Sequence, residues 1–209
     1  MEKVLTKENP LKIVLENNKG ALDVELGWDA KDGSIKERLK GRIEEAAMGV
    51  SARAYDLNLA AILHYSDGTK AELVCHEGAS GQGFDAAGSV KLGRDDRTGY
   101  GEGSDESIHI ELSKVPEAVD RIVLFMDIHG ANAVDQCLTD VENVFVQVQD
   151  AEDRRVYLRE EDAFKAECAE HYCCYTFASL VREGESWVLQ GEARYSLEDN
   201  VYDTLKAFE

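Results

Sequence analysis

Positive charge is scarce in this 209-residue chain, where 23 Lys and Arg stand against 42 Asp and Glu for a formal net charge of -19. So acidic a surface repels nucleic acid and anionic membranes at long range, which argues against both as partners and favours cations and basic proteins. Long apolar runs are missing too. None approaches the roughly 20 residues that span a bilayer, and the opening "MEKVLTKENPLKIVLENN" meets recurring charge before a signal-type apolar region can form. No transmembrane segment and a cytoplasmic location are therefore expected. The five cysteines, Cys75, Cys137, Cys168, Cys173 and Cys174, are odd in number and follow no regular framework, which suits a reducing compartment. No local catalytic motif such as G-x-S-x-G or H-E-x-x-H occurs. With no long linker and no internal repeat, residues 1–209 read as a single domain.

The acidity does not imply disorder, because 44% of the residues are hydrophobic and many fall in patterned runs. Those runs read mainly as strands: Lys12 to Glu16, Ala21 to Leu26, Leu57 to Tyr65, Lys70 to Cys75, Ser107 to Leu112, Arg121 to His129, Asn143 to Asp150, Arg154 to Leu158, Tyr175 to Val181 and Ser186 to Tyr195. The third and fourth flank "SDGT", a hairpin turn signal. About ten short strands separated by turn residues predict a mainly β fold, a sandwich of two antiparallel sheets. Two segments break the pattern. In "SIKERLKGRIEEAAMG", Ile35, Leu39, Ile43 and Ala47 recur every four residues behind a capping Ser34, predicting an inserted amphipathic helix over about 34–49. Leu197, Val201, Leu205 and Phe208 predict a second helix over about 196–208.

The stretch "GRDDRTGYGEGSDES", Gly93 to Ser107, combines backbone freedom with negative charge. Glycines at 99, 101 and 103 let the backbone approach something closely. A phosphate is a poor candidate, because Asp95, Asp96, Glu102, Asp105 and Glu106 repel it. A hard cation suits the loop better: calcium takes six to eight oxygens and mixes carboxylates with backbone carbonyls. The spacing is not that of an EF-hand. Chemistry alone leaves two readings, a cation site and a solvated acidic loop.

Three blocks in order, "LGWDA" (Leu26 to Ala30), "YDLNLAAIL" (Tyr55 to Leu63) and "DDRTGYGEGSDESIHIELSKVPEAVDRIVLFMDIHGA" (Asp95 to Ala131), resemble the TerD family of tellurium-resistance and stress-response proteins. That family typically shows GWD, then DLD, then D-N-x-T-G-x-G-x-G-D-D-E with a strand, "LSKVP" and a strand ending near I-H-D-A. The later "ESWVLQGEARY" is similar to its closing G-E-W strand. The resemblance runs roughly from Leu22 to Tyr195, with a gap at the inserted helix. It implies a single TerD-like domain in a bacterial, cytoplasmic, calcium-binding β-sandwich with two neighbouring metal positions.

Matched residue by residue, the resemblance assigns metal-ligand positions to Asp29, Asp56, Asn58, Asp95, Asp96, Asp105 and Glu106, with Thr98 and Gly101 offering carbonyls. The cofactor it implies is Ca2+, as one or two ions. The departures weaken or remove a site: Asn58 stands where the second Asp of DLD is usual, Ser104 replaces a loop Asp, and Gly130 replaces the Asp after I-H. Asp96, in place of the family's Asn, partly restores the charge.

Ligands drawn from distant blocks tie strand ends together, so bound calcium is expected to stabilise the fold. In "ECAEHYCC", Cys168, His171, Cys173 and Cys174 have soft-metal ligand types, but adjacent cysteines on a strand point to opposite faces and no paired C-x-x-C array is present. Buried core cysteines are the expectation. His64, His76, His109 and His129 are scattered singly and read as structural. The resulting expectation is a calcium-binding, non-enzymatic stress-response protein that associates with other proteins, including further members of the same system, in a metal-dependent way. The alternatives are a metal-free acidic interaction module and a metal-dependent hydrolase.

Overall fold

The computed structural model describes residues 13–15, 20–29, 55–68, 71–76, 83–97, 99, 103–131, 136–161, 172–197 and 204. Their strands are β1 (Ile13–Leu15), β2 (Ala21–Asp29), β3 (Leu57–Tyr65), β4 (Ala71–Val74), β5 (Val90–Leu92), β6 (Glu106–Glu111), β7 (Val119–Ile128), β8 (Glu142–Asp150), β9 (Val156–Glu161), β10 (Cys174–Glu183) and β11 (Ser186–Ser196). They form two sheets, one of six strands in the order β1-β11-β10-β7-β3-β4 and one of five in the order β5-β6-β2-β8-β9. Among the described residues every strand pairing is antiparallel. The expected two-sheet architecture is present.

Period-two alternation builds the space between the sheets. Leu22, Val24 and Leu26 of β2, Ile108 and Ile110 of β6, and Val144, Val146 and Val148 of β8 turn inward to meet Leu57, Leu59, Ala61 and Leu63 of β3 and Ile122, Leu124 and Met126 of β7. The six-stranded sheet is also buried on its other face. There Ala60, Ile62, Cys75, Val123, Phe125 and Cys174 form a second apolar cluster, which explains why β3 and β7 read as continuous apolar runs rather than alternating ones. The outer face of the five-stranded sheet is polar. On it Gln147 and Gln149 donate to Glu25, while Arg154 donates to Asp23 at 3.1 Å and to Glu25 at 3.0 Å.

All ten expected strands occur. An eleventh, β5, was not anticipated, because three residues between glycine-rich stretches carry too little periodicity; its pairing with β6 makes it a strand. The expected inserted helix over about 34–49 lies outside the described residues. The expected C-terminal helix over about 196–208 needs correction at its start: Ser196 belongs to β11, held by its pairing with Cys174 and by the Cys173 N–H, which donates to the Ser196 carbonyl at 3.2 Å. Of the rest, Leu197 is exposed and non-helical, Thr204 is helical and buried, and residues 198–203 and 205–208 lie outside the described residues. Among the described residues no helix is long and apolar enough to cross a membrane.

One end of the sandwich collects the sequence blocks singled out above. β2 ends there at Asp29, β6 begins at Glu106, β8 begins at Glu142, and β3 begins at Leu57 opposite Ile128. The antiparallel registers therefore bring residues far apart in sequence to a common rim.

Candidate functional site

The glycine-rich loop is seated on the end of β2. Between Gly27 and Asp29 the register of β2 against β8 shifts, and such an irregularity re-aims side chains. Trp28 turns into the core, 2% exposed, and its indole N–H donates to the Tyr55 carbonyl at 3.0 Å. Its backbone N–H donates to Asp105 Oδ2 at 2.8 Å, and the Asp105 N–H donates to the Leu26 carbonyl at 2.9 Å. Gly99 has φ +60, and a Cβ built there would lie 2.5 Å from Trp28 Nε1 and 2.7 Å from the Trp28 carbonyl oxygen. At Gly27 a Cβ would run into the Phe145 ring and stand 2.6 Å from the Gly103 carbonyl oxygen. These two glycines let the loop close against Trp28 and Gly27, so part of what the loop approaches so closely is its own scaffold.

Glu106 joins the two sheets at this rim. Its Cα pairs with Leu26 in the five-stranded sheet, and its Oε2 accepts the N–H of Leu59 in the six-stranded sheet at 2.6 Å. That N–H is available because β4 pairs only with Ala61 to His64. The Glu106 carboxyl is 1% exposed, and its Oε1 is buried with no hydrogen-bond partner. Burial pushes its pKa up to about 9; the N–H groups of Leu59 and Asp96 oppose that, while the charges of Asp95 and Asp56 add to it. A protonated, half-satisfied carboxyl at a sheet junction is an unusual resident of a core.

Its surroundings fall into two overlapping carboxylate groups. Asp56 and Asp95 act on Glu106 and also on His76, whose pKa is lowered by burial even though both carboxylates pull it up. Asp96 and Asp29 act on Asp105, whose pKa is raised first by burial, with the Trp28 N–H opposing and the two charges adding. Asp96 Oδ1 accepts the Gly99 N–H at 3.1 Å, Asp95 pairs with the exposed Arg97 at 3.1 Å, and Asn143, at φ 53, donates from Nδ2 to Asp29 Oδ2 at 2.8 Å. The His129 N–H donates to the Asp56 carbonyl at 2.8 Å, which ties the start of β3 to the end of β7.

The nine residues assigned from sequence are placed unequally. Asp56 and Asp95 lie within electrostatic reach of Glu106, and Asp29 and Asp96 within reach of Asp105. Asn58 shares the face of Ala60 and Ile62, buried opposite Asp127 across the β3–β7 pair. Thr98 and Gly101 lie outside the described residues. His76, Trp28 and Asn143 were not singled out as parts of the site. His76 carried no signal beyond its type, and Asn143 none beyond a residue suited to positive φ.

The donor set suits a hard cation in kind: carboxylate oxygens, one of them buried without a hydrogen-bond donor, with proton uptake compensating for crowded negative charge. In arrangement the fit is incomplete. Among the described residues no three His, Cys, Asp or Glu side chains converge to hold a metal ion.

Of the cysteine cluster, Cys168 and His171 lie outside the described residues. Cys173 joins the core between the sheets while Cys174 joins the outer-face cluster, so the adjacent pair points to opposite faces. His109 Nδ1 is 2.8 Å from Asp23 Oδ1, a structural pairing.

Comparison with known proteins agrees with this fold. A tellurium resistance protein TerX from Serratia marcescens is 26% identical over 204 residues, covering 92% of this chain and 92% of the relative. General stress protein 16U from Bacillus subtilis (strain 168) is 33% identical over 109 residues, covering 52% of each. Among solved structures, a homologue of telluride resistance protein (TerD) from Streptomyces coelicolor A3(2) superposes with a TM-score of 0.65 at 20% identity, over 88% of this chain and 94% of that one; it supports the fold alone. The TerD domain profile matches residues 1–194, and the chain belongs to the TerD family.

Proposed function

We propose that this chain is a calcium-binding, non-enzymatic stress-response protein of the tellurium-resistance type, acting in the cytoplasm through metal-dependent association with other proteins, further members of the same system among them. The observation that carries the reading is Glu106, whose buried Oε1 faces no donor while Asp56 and Asp95 bear on the same carboxyl. A calcium ion supplies positive charge and accepts several oxygens at once. The chain's part is to hold oxygens at the rim. The oxygens we assign to the ion are those of Asp29, Asp56, Asp95, Asp96, Asp105 and Glu106, with carbonyls of Thr98 and Gly101; because no three of the described side chains converge as they stand, binding requires them to close on the ion. Because these residues come from the end of β2, the residue before β3, the start of β6 and the loop between β5 and β6, filling the site draws both sheets together. One or two ions are accommodated, and the family names of the relatives supply the stress-response context.

The test is a calcium titration of chelator-stripped protein, followed by calorimetry and by melting temperature, with magnesium as control and Asp105→Ala beside Asp56→Ala. Saturable calcium binding that raises the melting temperature and is lost in the variants is the expected result. A second reading has its own support, because no three of the described carboxylate, His or Cys side chains converge and Arg97 already pairs with Asp95. In that reading the rim is a metal-free acidic surface that holds a basic protein. Absence of calcium binding up to millimolar concentration, together with metal-insensitive capture of a basic partner, selects it.

A further inference from the structure

Two of the thiols lie on the same side of one backbone hydrogen bond. The Leu138 N–H donates to the Tyr172 carbonyl at 3.0 Å, which places Cys137, the residue before Leu138, and Cys173, the residue after Tyr172, beside that contact. Cys173 Sγ approaches the Gln136 carbonyl oxygen at 3.7 Å, the carbonyl bonded to the nitrogen of Cys137 itself. Backbones joined in this way lie roughly 5 Å apart, inside the range of roughly 4.4–6.8 Å between Cα atoms that a disulfide spans. The two thiols also differ in access. Cys173 is 2% exposed and anchored by the Ile128 N–H, which donates to its carbonyl, whereas Cys137 is partly exposed. The other described thiols are turned away: Cys174 accepts from the Thr204 hydroxyl at 3.5 Å on the outer face of the six-stranded sheet, and Cys75 sits in that same outer cluster.

We propose that Cys137 and Cys173 are a redox pair that closes to an intramolecular disulfide when the protein meets a peroxide and reopens under a dithiol reductant. The accessible Cys137 thiolate attacks hydrogen peroxide, breaking the O–O bond, and becomes a sulfenic acid; the hydroxide that leaves takes up the proton Cys137 lost on ionising and departs as water. Cys173 sulfur then attacks the Cys137 sulfur, forming the S–S bond and expelling hydroxide, which leaves as water with the Cys173 proton. The pair loses two electrons and the peroxide gains them. Cys137 Sγ lies 2.9 Å from Thr139 Oγ1, a contact that closure of the disulfide breaks. The device involves neither the acidic rim nor a metal.

The test treats the full chain with equimolar hydrogen peroxide, blocks residual thiols under denaturing conditions, and maps the unreduced peptides by mass spectrometry. Cys137→Ser, Cys173→Ser and Cys174→Ser are run in parallel. Two of the five thiols should disappear. The cross-linked peptide should contain Cys137, persist in Cys174→Ser, vanish in the other two variants, and reopen with dithiothreitol. A cross-link to Cys168 or Cys174, a disulfide-linked dimer, or a trapped Cys137 sulfenic acid with no cross-link in the unsubstituted chain overturns the proposal.

Discussion

Replacing Glu106 by Gln isolates a single proton in the stability of the whole protein. In the unfolded chain the carboxyl titrates near 4.5; in the folded chain burial holds it at about 9. Below pH 4.5 both states carry the proton and nothing is lost. Above it the unfolded state releases the proton while the folded state keeps it, so stability falls with rising pH until about 9 and then levels. The slope is about 1.4 kcal/mol per pH unit, so the folded state gives up about 3 kcal/mol by pH 7. An amide at 106 keeps an oxygen to accept from Leu59 and Asp96 but cannot ionise. The repulsion from the net charge of -19 acts on both proteins alike and cancels in their difference.

Urea unfolding in chelator between pH 5.5 and pH 8 is therefore expected to show wild type losing about 3 kcal/mol more than Glu106→Gln across that interval. The variant should already be ahead by about 1 kcal/mol at the acid end, and its advantage should grow steadily toward the alkaline end. Parallel curves would falsify the assignment of a retained proton to Glu106. The same substitution removes the oxygen charge a cation needs, so the variant that gains stability without metal is expected to lose calcium stabilisation.

Gly99→Ala forces a side chain into left-handed φ and into Trp28 at once, and should cost on the order of 2–3 kcal/mol, read as a fall in the urea midpoint. Trp28→Phe removes the indole donor to the Tyr55 carbonyl and should cost about 1–3 kcal/mol by the same measurement. Because the loop closes on Trp28, calcium should change tryptophan emission in Trp187→Phe and leave it unchanged in Trp28→Phe; the reverse pattern would detach the loop from the binding event. Gly130 has φ +63 and open space where a Cβ would stand, a conformation Asp tolerates better than most residues. Gly130→Asp is accordingly expected to fold normally and to tighten calcium binding in a calorimetric titration, restoring the residue the family usually carries there.

The sequence by itself determined the strands and their inward faces, because period-two burial is a local property: Leu22, Val24 and Leu26 alternate with Asp23 and Glu25 whatever lies across the sheet. It also determined the family, since the GWD, DLN and glycine-rich blocks keep their order and chemistry. Three residues at Val90–Leu92 were too few to show a period, and only pairing with β6 made them a strand. The role of Gly99 was half legible: its freedom could be read from the residue type, but that Trp28 fills the space was a matter of packing. For the site, the residue types pointed to oxygen chemistry, whereas the tertiary structure decided which carboxylate lost its water. Glu106 is one of several acids in that stretch, and among the described ones it is the one that stands across the junction of the two sheets, bonded to Leu59 of the opposite sheet. Asn58, two residues beyond Asp56, took the face of Asp127 because strand alternation and the register with β7 assigned it there. Local periodicity is written along the chain, but desolvation and charge proximity depend on residues that only the antiparallel registers bring together.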